Sequence, residues 1–380
     1  IGKWHIGPER THATEYFDEY WSIIQKFRES DKDPHTSYNA WLQEKGLTPD
    51  QPNGTFGYKR MVTMARAFSR LTFMDEKARE FLTLNRQTPW VMFYSPHEVH
   101  TPNTGPYDGL LSTRDVSLDS SHYAEPGKHS PVRHRIRASE WSRSLSEKQK
   151  KEELARYYGK LYDVDQSVGT LIQHLKATGQ YENTAIIFTA DHGSMVNRKG
   201  FQTKMVMFDH SARAPFMIKM PGQSQRQIID TPVSLIDLLP TIFDLQQVEP
   251  PAVFDGQSLL PVMEGKTKPS PVVVQWHPIH PAKRDHAFRN SPIKNQVPEP
   301  VFQNAINQRI RCWVDPSGFK LVLSEKGMDK NQLYDLNQDP LELRNLYDEA
   351  GYEQQIDELE KKLLDWQQAH QDTILLSLQK

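Results

Sequence analysis

Short apolar runs alternate with long polar stretches along the chain, and a few of those runs fix most of the expected architecture. Residues 184–189 form a brief, β-rich apolar run ending in a polar turn, the pattern of a buried parallel strand. A longer periodic segment leads straight into it. Ser146 stands as an N-cap, apolar residues recur at Leu154, Tyr157, Leu161, Val164, Val168, Leu171, Ile172 and Leu175, and Gly179 follows as a stop. This three-four spacing predicts one helix with a single buried apolar face. A helix feeding directly into a strand is an α–β unit of a parallel sheet. Residues 89–95 (PWVMFYS) predict a second buried strand, with a helix over 59–84 before it. Residues 272–275 read as another strand. From about residue 281 the character changes. Residues 308–314, 318–323 and 333–336 are strand-like runs separated by turns, and a helical pattern over 352–370 follows. The expected fold class is α/β: a central, largely parallel sheet flanked by helices over residues 1–280, and a C-terminal subdomain, a small antiparallel sheet plus helix, over 281–380.

Composition narrows the function classes. At 380 residues the chain can bury a large core. Its formal net charge of −2 gives no global field toward nucleic acid or anionic membrane. No apolar run reaches roughly 18 residues, so no transmembrane helix is expected. The aromatic content, with 8 Trp, suits a protein that handles carbohydrate, and a Trp-rich core accounts for it equally. Cys312 is the only cysteine, which rules out an intrachain disulfide; a buried hydrophobic role is expected for it. The sequence starts at Ile1 rather than Met, so a longer parent chain is expected, with any signal peptide in the part before it.

The candidate chemistry gathers after the 184–189 run. Asp191, His192 and Gly193 follow it directly, where open α/β sheets place ligands. A carboxylate and an imidazole there can share a cation, with the glycine letting the backbone turn closely. Lys204 comes 13 residues after Asp191, then Asp209, His210 and Arg213. On spacing alone, Asp191 as a loop cap and Lys204 as a solvated charge fit as well. At the chain start, Gly2-Lys3-Trp4-His5-Ile6-Gly7 puts Lys3 and His5 on one side of an extended segment. After the 89–95 run, His97 and His100 compete for a site role, with Pro102 two residues past His100. Residues 105–144 form a polar insertion carrying His122, His129, His134 and several Arg; a substrate-binding loop and an inert excursion both remain open. His277, after the 272–275 run, is a further candidate for the pocket rim.

These residues, taken together, resemble the type I sulfatases of the alkaline-phosphatase superfamily. The resemblance rests on Gly2-Lys3-Trp4-His5, His100 with Pro102, Thr189-Ala190-Asp191-His192-Gly193 with Lys204, and the ending Leu333-Tyr334-Asp335-Leu336, Asp339-Pro340, Asn345-Leu346. Residues 228–245 resemble the family's strand followed by a helix, and the Asp255-Gly256-Gln257-Ser258-Leu259 stretch what comes after it; these, with Asp237, look like structural parts of the family. The resemblance implies sulfate-ester hydrolysis on a sulfated carbohydrate by an exported enzyme. It implies catalytic roles for Lys3, His5, His100 and Lys204, and contact of His100, Lys204, His210 and His277 with substrate. Asp191 and His192 would supply part of a metal shell, Ca²⁺ being the family's usual ion. Two family parts fall outside the sequence: the formylglycine nucleophile of a Cys/Ser-x-Pro/Ala-x-Arg motif, and two further Asp ligands, both upstream of Ile1. The 380 residues alone are therefore expected to be inactive. A phosphomonoester or phosphonate hydrolase, and a non-catalytic binder of sulfated glycans, are the alternatives.

Overall fold

A computed structural model describes residues 1–4, 16–23, 37–140, 145–267, 270–278 and 291–378. Its principal elements in chain order are α1 (Ser37–Glu44), α2 (Arg70–Leu84), α3 (Val132–Glu140), α4 (Glu147–Ala177), β1 (Ile186–Thr189), α5 (Asp209–Ala212), β2 (Phe216–Lys219), α6 (Leu238–Gln246), β3 (Val272–Trp276), β4 (Ile310–Val314), β5 (Phe319–Ser324), β6 (Gln332–Asp335) and α7 (Glu353–Ala369). They fall into two compact units. The first comprises Ile1–Leu118, Leu145–Phe188 and Met217–Ser224; the second comprises Asp119–Ser144, Thr189–Phe216 and Gln225–Lys380.

In the first unit the chain start lies in a parallel ladder with residues 93–95. The Ile1 amino group donates to Phe93 O at 2.8 Å, Ser95 N to Ile1 O at 2.9 Å, and Lys3 N to Ser95 O at 2.7 Å. The expected strand over 89–95 is thus extended, but it is not buried. Val91 and Phe93 are 65% and 57% exposed, because the alternation of an extended chain sends only Tyr94 and its like toward the core. Tyr94 packs beside Tyr38, Trp41, Phe73 and Met74. The helix expected over 59–84 is interrupted. A short turn of helix at Tyr58–Val62 ends, and α2 restarts at Ser69, whose hydroxyl accepts from Thr72 N.

Helix α4 has the predicted ends. Ser146 and Gln149 close a capping box, and Gly179 follows with φ of +71°. Its buried face differs from the apolar stripe. Leu154 and Leu175 are buried as expected, yet Leu161 is 41% exposed, while Gly159, Lys160, Asp163 and Ser167 are buried. The reason is Arg66, which lies between α2 and α4. Its guanidinium reaches Asp75 at 2.8 Å, Asp163 at 2.6 Å and Ser167 Oγ at 2.9 Å. Paired charges override hydrophobic period here, because a buried carboxylate is tolerated only beside its cation.

The second unit is built on the antiparallel sheet β3-β4-β5-β6. Alternation buries both faces. Trp313, Leu321, Leu323 and Leu333 meet Ile356, Leu359 and Leu363 of α7, while Ile310, Cys312 and Val322 meet Met207. Cys312 is fully buried, and burial pushes its thiol up to about 12, as a small core hydrophobe requires. The strand expected at the start of 228–245 is absent: Ile228 and Ile229 are exposed and lie outside any strand. The helix expected after it is α6. Asp237, just before it, accepts from Ser234 N and Gln257 N, each at 3.0 Å, which ties the helix to the Asp255–Leu259 stretch. No described helix is long and apolar enough to cross a membrane.

Candidate active site

In the first unit, residues 97–102 carry the candidate histidines. The His97 and His100 rings lie 4.7 Å apart. His97 is buried, and desolvation first, then the charges of Arg70, His100, Lys3 and Lys160, lower its pKa to about 2. It stays neutral at every working pH. His100 is the exposed member of the pair. Its Nδ1 donates to Thr101 O at 2.9 Å, which fixes the ring against the backbone of the next residue. Lys3 follows the ladder residue Gly2 and is near enough to act electrostatically on His97. His5 lies outside the described residues.

In the second unit, Asp191 and His192 stand directly after β1. The His192 ring donates from Nδ1 to Gly193 O at 2.7 Å, so Nε2 carries the lone pair. Lys204 Nζ donates to that Nε2 at 2.6 Å, and Asp191 Oδ2 lies 3.4 Å from it. Asp191, His192 and Lys204 are thus brought together. The glycine of the motif is required by packing. A Cβ at Gly193 would sit 2.3 Å from His210 O and 2.9 Å from Arg213 O, and Gly193 N donates to Ser211 O. The Asp-His turn is therefore seated on the backbone of α5.

Helix α5 is fixed in turn by buried charge. Lys320, 1% exposed, places Nζ 2.7 Å from Asp209 Oδ1 and 2.8 Å from Glu342 Oε1, while Asp209 N donates to Glu342 Oε2 at 2.7 Å. His210 is half-buried, and desolvation, then Arg198, lowers its pKa. His277 is exposed at the end of β3, where Arg311 donates to its Nε2 at 3.2 Å; Arg311 also forms a pair with Asp372. The structure thus puts His277 beside the C-terminal sheet's Arg311.

Sequence reasoning missed the residues that hold the Lys204 segment. Arg137 of α3 donates to Lys204 O at 3.3 Å, and Arg133 to Met205 O at 3.4 Å, its guanidinium lying 4.3 Å from the Trp276 ring centroid. Part of the polar insertion is therefore a helix that supports Lys204. The available signal was the i,i+4 spacing of Arg133 and Arg137 just after Pro131. Among the described residues, no group of three or more His, Cys, Asp or Glu could hold a metal ion.

Residues 1–248 match the sulfatase family model, and residues 302–369 match the one described as N-sulphoglucosamine sulphohydrolase, C-terminal. The chain belongs to the sulfatase family. This family of sulfuric ester hydrolases is the one its motifs resemble, and the α/β class with a C-terminal antiparallel sheet and helix holds. The sulfatase chain is 28% identical over 380 residues to the Escherichia coli K12 protein named Uncharacterized sulfatase YidJ, covering 96% of this chain and 68% of that one. It is 26% identical over 364 residues to the Multifunctional alkaline phosphatase superfamily protein PehA of Trinickia caryophylli, covering 90% and 67%. With the N-acetylglucosamine-6-O-sulfatase of Bacteroides thetaiotaomicron it shares 26% over 220 residues, covering 57% of this chain and 36% of that one. In fold it is similar to the Phosphonate Monoester Hydrolase of Agrobacterium radiobacter, with a TM-score of 0.67 at 22% identity over 91% of this chain and 71% of that one.

Proposed function

We propose that the intact protein removes sulfate from a sulfated carbohydrate. The observation that carries this reading is the cluster at the end of β1, where the Lys204 ammonium, the lone pair of His192 Nε2 and the Asp191 carboxylate converge. Such a set suits an anion that must shed charge repulsion as it is attacked. Lys204 and Lys3 would neutralise non-bridging sulfate oxygens. His100 would give the proton from Nε2 to the leaving oxygen, and His5 would act beside the nucleophile. His210 and His277 would contact the sugar side of the substrate.

The donor set of Asp191 and His192 fits part of a shell for a divalent cation, Ca²⁺ by family habit. Nδ1 of His192 is tied to a carbonyl, so Nε2, which here accepts from Lys204, is the nitrogen that would meet the ion. When bound, such an ion would supply positive charge against the sulfate oxygens. The formylglycine nucleophile would come from a segment upstream of Ile1. Export from the cytoplasm belongs to the same reading. A relative named N-acetylglucosamine-6-O-sulfatase supports the substrate class.

A second reading, hydrolysis of phosphate or phosphonate esters, is favoured by the relative named a multifunctional alkaline phosphatase superfamily protein. Sulfate and phosphate esters compared at a matched leaving group in the intact enzyme decide between the two. Under the proposal, Lys204→Ala abolishes sulfate release, and His100→Ala abolishes it from the sugar ester, while circular dichroism stays native. Unchanged release overturns it, and saturable glycan binding without turnover in the parent enzyme replaces it with a binding role.

A further inference from the structure

We propose that Lys160, with Tyr58, is a positioning residue that holds the backbone beneath His100 so that Nε2 faces the ester's leaving oxygen. This rests on the reading of His100 given above and adds the groups that make it work. Three successive carbonyls around the imidazole each accept from a distant side chain. Lys160 Nζ donates to His100 O and, at 3.0 Å, to Pro102 O; Tyr58 OH donates to Thr101 O at 3.0 Å. The same Thr101 carbonyl accepts from His100 Nδ1, so Tyr58 and the imidazole share one acceptor. Fixing that oxygen fixes the ring.

The surroundings give this arrangement a rigid base. Lys160 is 4% exposed and lies on α4, where Gly159 lets the helix close on the Tyr107 backbone; a Cβ there would be 2.7 Å from Tyr107 O. The other end of the segment is held by Arg70, which grips Glu98 Oε1 through Nε at 3.0 Å and Nη2 at 2.6 Å. Asn103 donates to Glu153 of α4 at 3.0 Å. Placing a long, flexible ammonium inside a protein costs desolvation and side-chain entropy. Two backbone carbonyls flanking one exposed histidine are where Lys160 directs that charge.

During cleavage the S–O bond to the leaving alcohol breaks and its electron pair stays on that oxygen. His100 acts as the imidazolium, protonated on both nitrogens: its Nε2 proton passes to that oxygen, sulfur bonds to the attacking hydroxyl oxygen, and the hydroxyl's own proton goes to a base beside the nucleophile. A poor leaving group needs that proton; an activated nitrophenolate does not. Loss of position therefore shows as a loss that depends on the leaving group.

The test uses the intact enzyme with 4-nitrophenyl sulfate and a sugar sulfate ester it turns over. Lys160→Met lowers kcat on the sugar ester about 10²-fold more than on the nitrophenyl ester, with KM little changed. Tyr58→Phe does the same to a smaller extent, and Lys160→Arg keeps most of the activity. Equal losses on both esters in Lys160→Met and Tyr58→Phe, or wild-type kinetics in both, overturn the positioning role. His100→Ala separates this from the underlying reading. If His100→Ala loses both esters equally, the leaving-group role of His100 fails and takes the positioning role with it. If His100→Ala is selective while the other two variants are not, only the positioning role falls.

Discussion

Replacing Arg66 with Met tests whether paired charge, rather than apolar contact, joins α2 to α4. Arg66 lies between Asp75, 5% exposed, and Asp163, 2% exposed. After the change Asp75 keeps Tyr94 OH and Ser167 Oγ as donors, at 2.8 and 3.0 Å. Asp163 loses its ion pair and suffers most. Removing one partner of a buried pair costs about 3–5 kcal/mol. Arg66 is about one-quarter exposed, so water reaches the gap and the low end, about 3 kcal/mol, applies. At 1.36 kcal/mol per factor of ten, that is about two decades of amide protection. The pH dependence follows from Asp163, which burial already raises from 3.8 to about 6 against the pull of Arg66. A carboxyl raised in the folded state contributes stability in full below its unfolded value and loses it as pH rises through the folded one. Without Arg66 the folded value rises further, so the mutant's deficit is small at pH 5 and grows toward pH 8. Hydrogen exchange of the α2 and α4 amides in the intact enzyme reads this out. The double variant Arg66→Met, Asp163→Asn recovers most of the protection, since the uncompensated charge is gone. A pH-independent loss that the second change does not relieve refutes the argument.

Two further perturbations examine the support of the Asp191–His192 turn. Gly193→Ala forces a Cβ to within 2.3 Å of His210 O, which the backbone relieves only by moving, at about 1–3 kcal/mol. Sulfate release falls by more than the change in thermal midpoint accounts for; full activity would show that the close approach is dispensable. Lys320→Met leaves Glu342 buried without its cation and costs about 3–5 kcal/mol in urea unfolding. Adding Glu342→Gln restores most of it, and failure of that rescue would mean that Lys320 contributes through packing of its stem.

What the sequence determined by itself is what local signals can carry. The Ser146 capping box, the Gly179 stop and the alternation of β3 through β6 act over a few residues, and each was legible. The motif residues were legible too, because close spacing in sequence put Asp191, His192 and Lys204 in one cluster. Tertiary structure decided the rest. Which face of α4 is buried depended on Arg66, about 100 residues away in sequence, and a charge outranked the leucine period because burying it unpaired costs more than exposing Leu161. Packing buries the His97 ring and leaves His100 exposed, a difference that their spacing does not carry. The supports of Lys204 and His100, namely Arg133, Arg137, Tyr58 and Lys160, carry no motif. They act through single contacts to backbone carbonyls that only the folded chain brings within reach; the i,i+4 spacing of Arg133 and Arg137 marks a helix face but not the carbonyls it meets.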